Sequence, residues 1–188
     1  AIKNCLDFYK KKKSKLIIFL SSIEIYGEVN SNIISEKTCI RNPNFYGASK
    51  FYCESILKES SNSVNSLILR LPGIVGNDFI PRCWLQSLKE DFKKNKSINF
   101  YNPKSYFNNI FDIDNLVKLL EKIFMKKNNK NFDVINLAAK NPIQINKIIK
   151  IYKKNIITKS TLVKDKSTKK SFTIKTSKLI NDYNFKPD

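Results

Sequence analysis

Lys15–Ser22 reads KLIIFLSS, a run of apolar residues that ends in two hydroxyl side chains. A continuous apolar run of this length is typical of a strand that is buried on both faces of a parallel sheet. In α/β proteins with such a sheet, the functional residues lie at the carboxyl ends of the strands. The sequence therefore predicts a buried parallel strand here, with Ser21 and Ser22 at its functional end.

Helical and strand patterns alternate on both sides of this run. The predicted helices are Ile2–Lys13, Pro43–Ser60, Ile80–Lys94, Asp114–Lys126, Ile143–Tyr152 and Ser177–Tyr183, and the longer predicted strands are Ser66–Leu71 and Phe132–Ala138. We expect Pro72, Gly73 and Gly76 to form a turn and Asp114 to cap its helix. This alternation predicts βαβ units around a parallel sheet, which is an α/β fold.

The composition excludes several classes of protein. The chain has 188 residues and no histidine, which excludes Ser-His-Asp catalysis and histidine-ligated metal sites, so we expect no metal. Its four glycines never form a G-x-G-x-x-G or Walker loop. The four cysteines lack C-x-x-C spacing, which favours reduced thiols in a cytoplasmic protein. No apolar run approaches the roughly 20 residues that span a bilayer, so we expect no membrane partner.

The charge raises a second interpretation. Lys plus Arg number 35 against 16 Asp plus Glu, a net charge of +19, and such an excess can bind nucleic acid through phosphate neutralisation. However, the lysines are scattered along the whole chain among many Asn and Ile residues. No zinc-finger spacing or aromatic RNA-binding motif accompanies them. Nucleic-acid binding therefore stays as the less favoured alternative.

Two segments together predict an acid–base site. Residues 21–27 read SSIEIYG, and residues 46–50 read YGASK. Positions four apart lie on one face of a helix, so Tyr46 and Lys50 present a phenol and an ammonium to one spot, where the cation favours the phenolate. The Ser22 hydroxyl could hold the same substrate oxygen. An isolated Tyr-x-x-x-Lys pattern, in contrast, is more often a packed tyrosine and a solvated lysine.

The context of these segments resembles a known family. A Pro43-Asn44 helix start, Glu54 on the same helix and Leu-Arg-Leu-Pro-Gly at residues 69–73 accompany them. Together they resemble the extended short-chain dehydrogenase/reductase family, and specifically its NAD-dependent epimerase/dehydratase group, which acts on nucleotide sugars. Residues 107–116 (FNNIFDIDNL) and 135–138 (INLA) are similar to later segments of that family.

The resemblance implies the C-terminal portion of a Rossmann-type doubly wound parallel sheet with a small mixed α/β substrate-binding region. Residues 1–78 would form the second half of the dinucleotide-binding domain and carry the catalytic groups. Residues 79–188 would form most of the substrate-binding region, with a strand near 132–138 returning to the sheet. The complete enzyme would use NAD or NADP, bind a nucleotide sugar and form a homodimer.

Individual roles also follow from the resemblance. Tyr46 would be the catalytic base, Lys50 would bind the nicotinamide ribose and Ser22 would orient the substrate. The expected cofactor contacts are Tyr46, Lys50, Ser21, Pro72 and Ile74. The expected substrate contacts are Ser22, Glu24, Gly73, Asn108 and Arg82. Asn108 stands where the family often has an arginine, and an amide cannot bind phosphate through the bidentate fork of arginine. Arg82 or one of the lysines could supply this charge instead, or the sugar carrier could differ from a nucleoside diphosphate.

Two departures qualify the resemblance. The family's first strand and glycine-rich turn, which hold the pyrophosphate, have no counterpart in this sequence, so we expect the chain to be part of a longer enzyme and inactive alone. Ile23 stands where dehydratases carry an acid, which makes a dehydratase less favoured than an epimerase, reductase or dehydrogenase. A non-catalytic relative and a truncated product without its own function stay as alternatives.

Overall fold

The computed structural model of the chain describes residues 2–76, 83–125, 130–164 and 171–187. The helices are α1 (Ile2–Lys12), α2 (Phe45–Glu59), α3 (Trp84–Lys93), α4 (Ile113–Met125), α5 (Ile145–Asn155) and α6 (Ser177–Tyr183). The strands are β1 (Ile17–Ser22), β2 (Ile33–Ile34), β3 (Ser66–Leu71), β4 (Gly73–Val75), β5 (Ile98–Phe100), β6 (Tyr106–Phe107), β7 (Ile110–Asp112), β8 (Phe132–Asn136), β9 (Ile143–Gln144), β10 (Leu162–Lys164) and β11 (Thr173–Ile174). None of the helices in these ranges is long and apolar enough to cross a bilayer.

The central sheet is parallel, with the strand order β1-β3-β8. Ser21 of β1 lies opposite Arg70 of β3, and Arg70 lies opposite Asn136 of β8. The carboxyl ends of all three strands therefore meet at one edge of the sheet. The predicted α/β class with a parallel sheet is confirmed.

Residues of β3 alternate between two helical layers. Leu67 and Leu69 belong to a buried cluster with α4 and α6, whereas Arg70 contacts Glu54 of α2. Because successive side chains of a strand point to opposite faces, helices cover both faces of the sheet. Removing an apolar side chain from water, as at the fully buried Leu119 of α4, stabilises the fold by about 1.5–3 kcal/mol.

A second buried cluster lies outside the central sheet. It joins α3, β5 and α5 through Leu88, Phe92, Ile98, Ile145, Ile148 and Ile149. The rings of Phe92 and Tyr152 stack at its border, with centroids 6.3 Å apart. The domain boundary expected between residues 78 and 79 lies outside the described residues.

Three local expectations were wrong. Leu20 is 42% exposed rather than buried, because β1 is an edge strand of the sheet and the helices cover an edge strand incompletely. Gly73–Val75 is not a turn but the strand β4, which pairs in parallel with β7. Asp112, not Asp114, caps α4, since its carboxylate accepts hydrogen bonds from the backbone N–H groups of Asp114 and Asn115.

Asp133 anchors α6 to β8. Its carboxylate accepts hydrogen bonds from Lys178 and Tyr183 of α6 and from Lys130. Burial alone would raise the pKa of Asp133, but these three donors outweigh burial and hold the pKa below its usual value of 3.8. The anchor therefore stabilises the fold in its ionised form.

This lowered pKa predicts an acid-dependent stability. A carboxyl whose pKa is lower in the folded state stabilises the protein above its unfolded-state pKa, and this stabilisation is lost as the pH falls through the folded-state value. The difference in free energy of unfolding between wild type and Asp133→Asn should therefore be constant near neutral pH and shrink below about pH 4. Urea titrations of both proteins at several pH values measure this difference. The exposed Asp7→Asn is the control, and a difference that does not depend on pH would contradict the role of Asp133.

Candidate active site

The carboxyl end of β1 turns sharply into a 3₁₀ helix, Ile23–Tyr26. Ser22 caps this helix, since its Oγ accepts a hydrogen bond of 3.1 Å from the Glu24 backbone N–H. Among the described residues, no group accepts the hydrogen of the Ser22 hydroxyl. Ser22 can therefore donate this hydrogen to a bound oxygen atom, and its contact with the substrate stays a prediction.

Asn44 joins the start of α2 to this turn. Its side-chain oxygen caps the helix by accepting from the Gly47 N–H at 2.8 Å, and its amide Nδ2 donates to Glu24 Oε2 at 2.9 Å. Glu24, which the sequence predicted at the substrate, is exposed and holds Asn44. The helix that carries Tyr46 therefore starts in contact with the residues that follow Ser22.

Tyr46 and Lys50 lie together at the end of β1. Lys50 Nζ is 5.6 Å from the centre of the Tyr46 ring and 5.1 Å from that of Phe19. The same ammonium donates a 3.0 Å hydrogen bond to the Leu20 carbonyl. Tyr46 is 54% exposed, and its hydroxyl has no hydrogen-bond partner among the described residues. The phenol is therefore open to a ligand and has a cation beside it.

Gly47 lets α2 approach the turn closely. A Cβ built on Gly47 would lie 2.3 Å from the Glu24 carbonyl oxygen and 2.7 Å from the carbonyl carbon. Both contacts are with backbone, which cannot move aside as a flexible side chain would. Glycine is therefore required here because of the contact, although it is a poor helix former.

Gly47→Ala should consequently destabilise the protein. Alanine favours a helix interior over glycine by about 1 kcal/mol, but the clash forces α2 away from the turn, and overpacking of this kind costs about 1–3 kcal/mol. We expect a net loss of stability in urea unfolding. The neighbouring Ala48→Ser at an exposed position of the same helix is the control. Unchanged or raised stability of Gly47→Ala would show that the close approach is not maintained.

A buried ion pair lies beneath the site. Glu54 of α2 and Arg70 of β3 are 3% and 6% exposed, and Arg70 Nη2 lies 2.6 Å from Glu54 Oε2. Burial alone would lower the pKa of Arg70, but the hydrogen bonds to Glu54 outweigh it and raise the pKa. Ser21, expected at the cofactor, instead donates its hydroxyl to Glu54 Oε1 at 2.5 Å. The Ser21 side chain is therefore a hydrogen-bond partner of the buried ion pair.

Tyr26 extends the ion pair to the third strand. Arg70 Nη1 donates to the Tyr26 hydroxyl at 2.8 Å, and that hydroxyl lies 2.8 Å from Asn136 Oδ1 of β8. Burial raises the pKa of Tyr26 despite the nearby guanidinium, so the phenol stays protonated and can donate. One polar network therefore joins α2, the turn and all three strands of the sheet.

Of the remaining predicted contacts, two are apolar residues that pack inside the protein, two are engaged in hydrogen bonds within the chain, and one lies outside the described residues. Pro72 is buried, and Ile74 packs on the cluster beneath the sheet. Gly73 donates its N–H to the Asn109 carbonyl at 3.3 Å. Asn108 donates both amide hydrogens to carbonyls of Ala139 and Ile174 and accepts from the Ile174 N–H, so these donors are not available to a phosphate. Arg82 lies outside the described residues.

An aromatic cavity of about 240 Å³ was missed in the sequence. It is lined by Trp84, Asn99, Phe100, Tyr101, Phe107, Asn109, Ile145, Ser171 and Phe172. Trp84 meets Phe107 edge to face, with ring centroids 5.1 Å apart. The side-chain oxygen of Asn109 is buried and has no hydrogen-bond partner among the described residues. These residues are far apart in sequence. The only local signal for the cavity is the group of closely spaced aromatic residues at positions 100–107.

Solved structures share this fold. UDP-glucuronic acid 4-epimerase from Bacillus cereus in complex with NAD is 20% identical, with a TM-score of 0.82 over 99% of this chain and 60% of its own. dTDP-glucose 4,6-dehydratase from Bacillus anthracis, also with NAD, is 15% identical, with a TM-score of 0.78 over 100% of this chain and 61% of its own. RMD from Pseudomonas aeruginosa, complexed with NADPH, is 14% identical, with a TM-score of 0.77 over 100% and 66%. This chain spans less than two thirds of each.

The comparison with family profiles identifies the family of this chain, which the shared fold alone does not. No curated protein matches the chain significantly. The profile of the NAD dependent epimerase/dehydratase family matches residues 2–138, which confirms the resemblance seen in the sequence. This match runs from α1 to the end of β8 and contains Ser22, Tyr46 and Lys50, and the chain belongs to the NAD-dependent epimerase/dehydratase family.

Proposed function

We propose that this chain carries the acid–base half of an NAD(P)-dependent enzyme that modifies a nucleotide-linked sugar. The observation that carries the proposal is the pairing of an open phenol with a cation: Lys50 Nζ lies 5.6 Å from the Tyr46 ring at the carboxyl end of β1. Family membership supplies the reaction class. The similar solved enzymes include an epimerase of a UDP-sugar and a dehydratase of a dTDP-sugar.

The groups around Tyr46 fit one end of a nicotinamide cofactor. The Lys50 ammonium and the Tyr46 hydroxyl are hydrogen-bond donors at a strand end, and such donors suit the hydroxyls of a ribose. The chain has no glycine-rich loop for the pyrophosphate, so the fit concerns the nicotinamide riboside end. When bound, NAD or NADP would supply the hydride chemistry.

In this proposal the chain's own residues move and hold a proton. Ser22 donates its free hydrogen to the oxygen of the reacting hydroxyl or ketone and fixes its position. Tyr46 takes the proton of a hydroxyl that is oxidised, or returns a proton to a ketone that is reduced. Lys50 places a positive charge 5.6 Å from the centre of the Tyr46 ring, next to the group that exchanges the proton.

The aromatic cavity would bind the nucleobase of the substrate. A flat base gains stacking contacts from aromatic side chains such as Trp84 and Phe107. The unpartnered oxygen of Asn109 offers a hydrogen-bond acceptor to a base N–H. In this proposal the base lies among residues 79–188 and the acid–base chemistry among residues 1–78. The division of the chain into these two regions stays a prediction.

Within this reaction class, an epimerase, reductase or dehydrogenase is favoured over a dehydratase. A dehydratase must protonate the hydroxyl that leaves, which requires an acid close to the substrate. Ile23, next to Ser22, has no proton to give. Glu24, the following residue, is held by Asn44 at 2.9 Å.

The test is an assay of the full-length protein with NAD or NADP and a panel of UDP- and dTDP-linked sugars. Formation of reduced nicotinamide or of a new sugar, followed by absorbance and proton NMR, is the expected result. Absence of turnover with every sugar would overturn the proposal. Nucleic-acid binding that weakens steeply with salt and is unaffected by changes at Tyr46 and Lys50 would favour the alternative inferred from the charge.

A further inference from the structure

We propose that Glu54 is a positioning residue that, together with Arg70, fixes the helix carrying Tyr46 and Lys50 against the strand end carrying Ser22. This inference deepens the proposed function and rests on it for the role of the positioned groups. Glu54 lies eight positions after Tyr46 on α2, so it does not reach the phenol itself. Its effect on Tyr46 and Lys50 would come from fixing the position of α2.

The contacts of Glu54 connect the elements that carry the site. Its Oε1 accepts from Ser21 at 2.5 Å and from Arg70 Nε at 3.1 Å, and its Oε2 accepts from Arg70 Nη2 at 2.6 Å. Ser21 directly precedes Ser22 on β1, and Ser21 is paired with Arg70 in the sheet. A single carboxylate therefore joins α2 to β1 and β3 immediately below the position of Ser22.

Arg70 extends the same constraint to the turn after Ser22. Its Nη1 donates to the Tyr26 hydroxyl at 2.8 Å, and Tyr26 closes the 3₁₀ helix that Ser22 caps. A bidentate arginine–carboxylate pair is rigid in angle as well as in distance. Glu54 and Arg70 therefore hold helix, strand and turn in one geometry.

Buried charge alone does not explain this arrangement. A buried ion pair is often no more stabilising than an apolar pair of similar volume. The pair instead fixes the position of α2 relative to the sheet, because its hydrogen bonds can form in only one placement of the helix. Misplacement of catalytic groups by about 1 Å can cost on the order of 100-fold in rate, which is the kind of effect expected on loss of Glu54.

The test compares three variants of the full-length protein. Glu54→Gln keeps the volume but leaves Arg70 without a countercharge. Glu59→Gln makes the same chemical change at an exposed position of the same helix and is the matched control. The double variant Glu54→Gln/Arg70→Met removes both charges, so it separates stability from positioning and replaces Glu54→Gln if that variant does not fold.

We expect Glu54→Gln to lower kcat by about 10- to 100-fold, with the KM for the nucleotide sugar changed by less than about threefold, because the aromatic cavity is outside the network. Glu59→Gln should match wild type. In the double variant the melting temperature should recover while kcat stays low. A kcat of Glu54→Gln near that of wild type, or recovery of kcat together with stability in the double variant, would overturn the inference.

Failure of the proposed function would be recognised separately, since wild type and Glu59→Gln would then both be inactive. The positioning role is then decided by amide hydrogen exchange at Glu24 and Gly47, whose N–H groups bond Ser22 and Asn44. Exchange at least about 10-fold faster in Glu54→Gln and in the double variant, but not in Glu59→Gln, supports it. Unchanged exchange at both amides overturns it.

Discussion

Tyr46→Phe should abolish most of the turnover of the full-length protein without unfolding it. The substitution removes only the hydroxyl, which has no hydrogen-bond partner among the described residues, and Tyr46 is 54% exposed. General acid–base catalysis contributes on the order of 10²- to 10⁴-fold to a rate, so kcat should fall by that factor. Steady-state assays of sugar conversion, with melting temperatures measured in parallel, test this expectation.

The control for Tyr46→Phe is Tyr52→Phe. Tyr52 is 67% exposed and lies on the same helix. Because positions two apart on a helix do not face each other, its substitution removes an equivalent hydroxyl from a different face than that of Lys50. Wild-type turnover is expected for Tyr52→Phe. Turnover of Tyr46→Phe within a few-fold of wild type would remove Tyr46 from the chemistry and with it the assigned acid–base role.

Gly27→Ala should destabilise the chain more strongly than Gly47→Ala. Gly27 ends the 3₁₀ helix with φ +59° and ψ −119°, a conformation that residues with a Cβ rarely adopt. A Cβ there would also lie 1.9 Å from the Arg41 carbonyl oxygen. Backbone strain of this type costs about 1–3 kcal/mol, and the clash adds to it.

We therefore expect Gly27→Ala to lose more than about 3 kcal/mol of unfolding free energy, measured by denaturant titration. The cause is local, because Glu28 N–H donates to the same Arg41 carbonyl at 2.8 Å, and a Cβ on Gly27 would force the segments around Gly27 and Arg41 apart and break this bond. Glu28→Ala, at the adjacent exposed position, is the control and should change stability by less than about 0.5 kcal/mol. Equal stability of the two variants would contradict the assigned conformation of Gly27.

The elements that position the site could be predicted from local sequence. The apolar run before Ser22 predicted the strand β1, and the Pro43-Asn44 start predicted α2, because an apolar run and a helix cap are both patterns of neighbouring residues. The burial of β1 was not predicted in the same way, since Leu20 is exposed. The cap of α4 was assigned to Asp114 instead of Asp112. Two acidic residues so close together are equally suited to capping, and sequence alone does not distinguish which one accepts the N–H groups.

Long-range partners could not be predicted in the same way. Glu54 was noted only as part of a family pattern, and its pairing with Arg70 depends on how α2 packs against β3. Asn108 was assigned to the substrate by motif position, but its amide bonds Ala139 and Ile174, which are distant in sequence. The aromatic cavity likewise assembles residues from several elements. Such contacts follow from the tertiary arrangement and not from any local pattern.

The most direct test of the account follows hydrogen from substrate to cofactor. The full-length protein is mixed with oxidised NAD or NADP and a ring-deuterated nucleotide sugar. Because an epimerase returns the hydride to the sugar at the end of each turnover, the reaction is quenched before the first turnover is complete, and the nicotinamide is then analysed by mass spectrometry. We predict deuterium on the nicotinamide with wild type and at least about 100-fold slower transfer with Tyr46→Phe. Absence of transfer from every nucleotide sugar, or equal transfer in both proteins, would contradict the acid–base role assigned to Tyr46, Lys50 and Ser22.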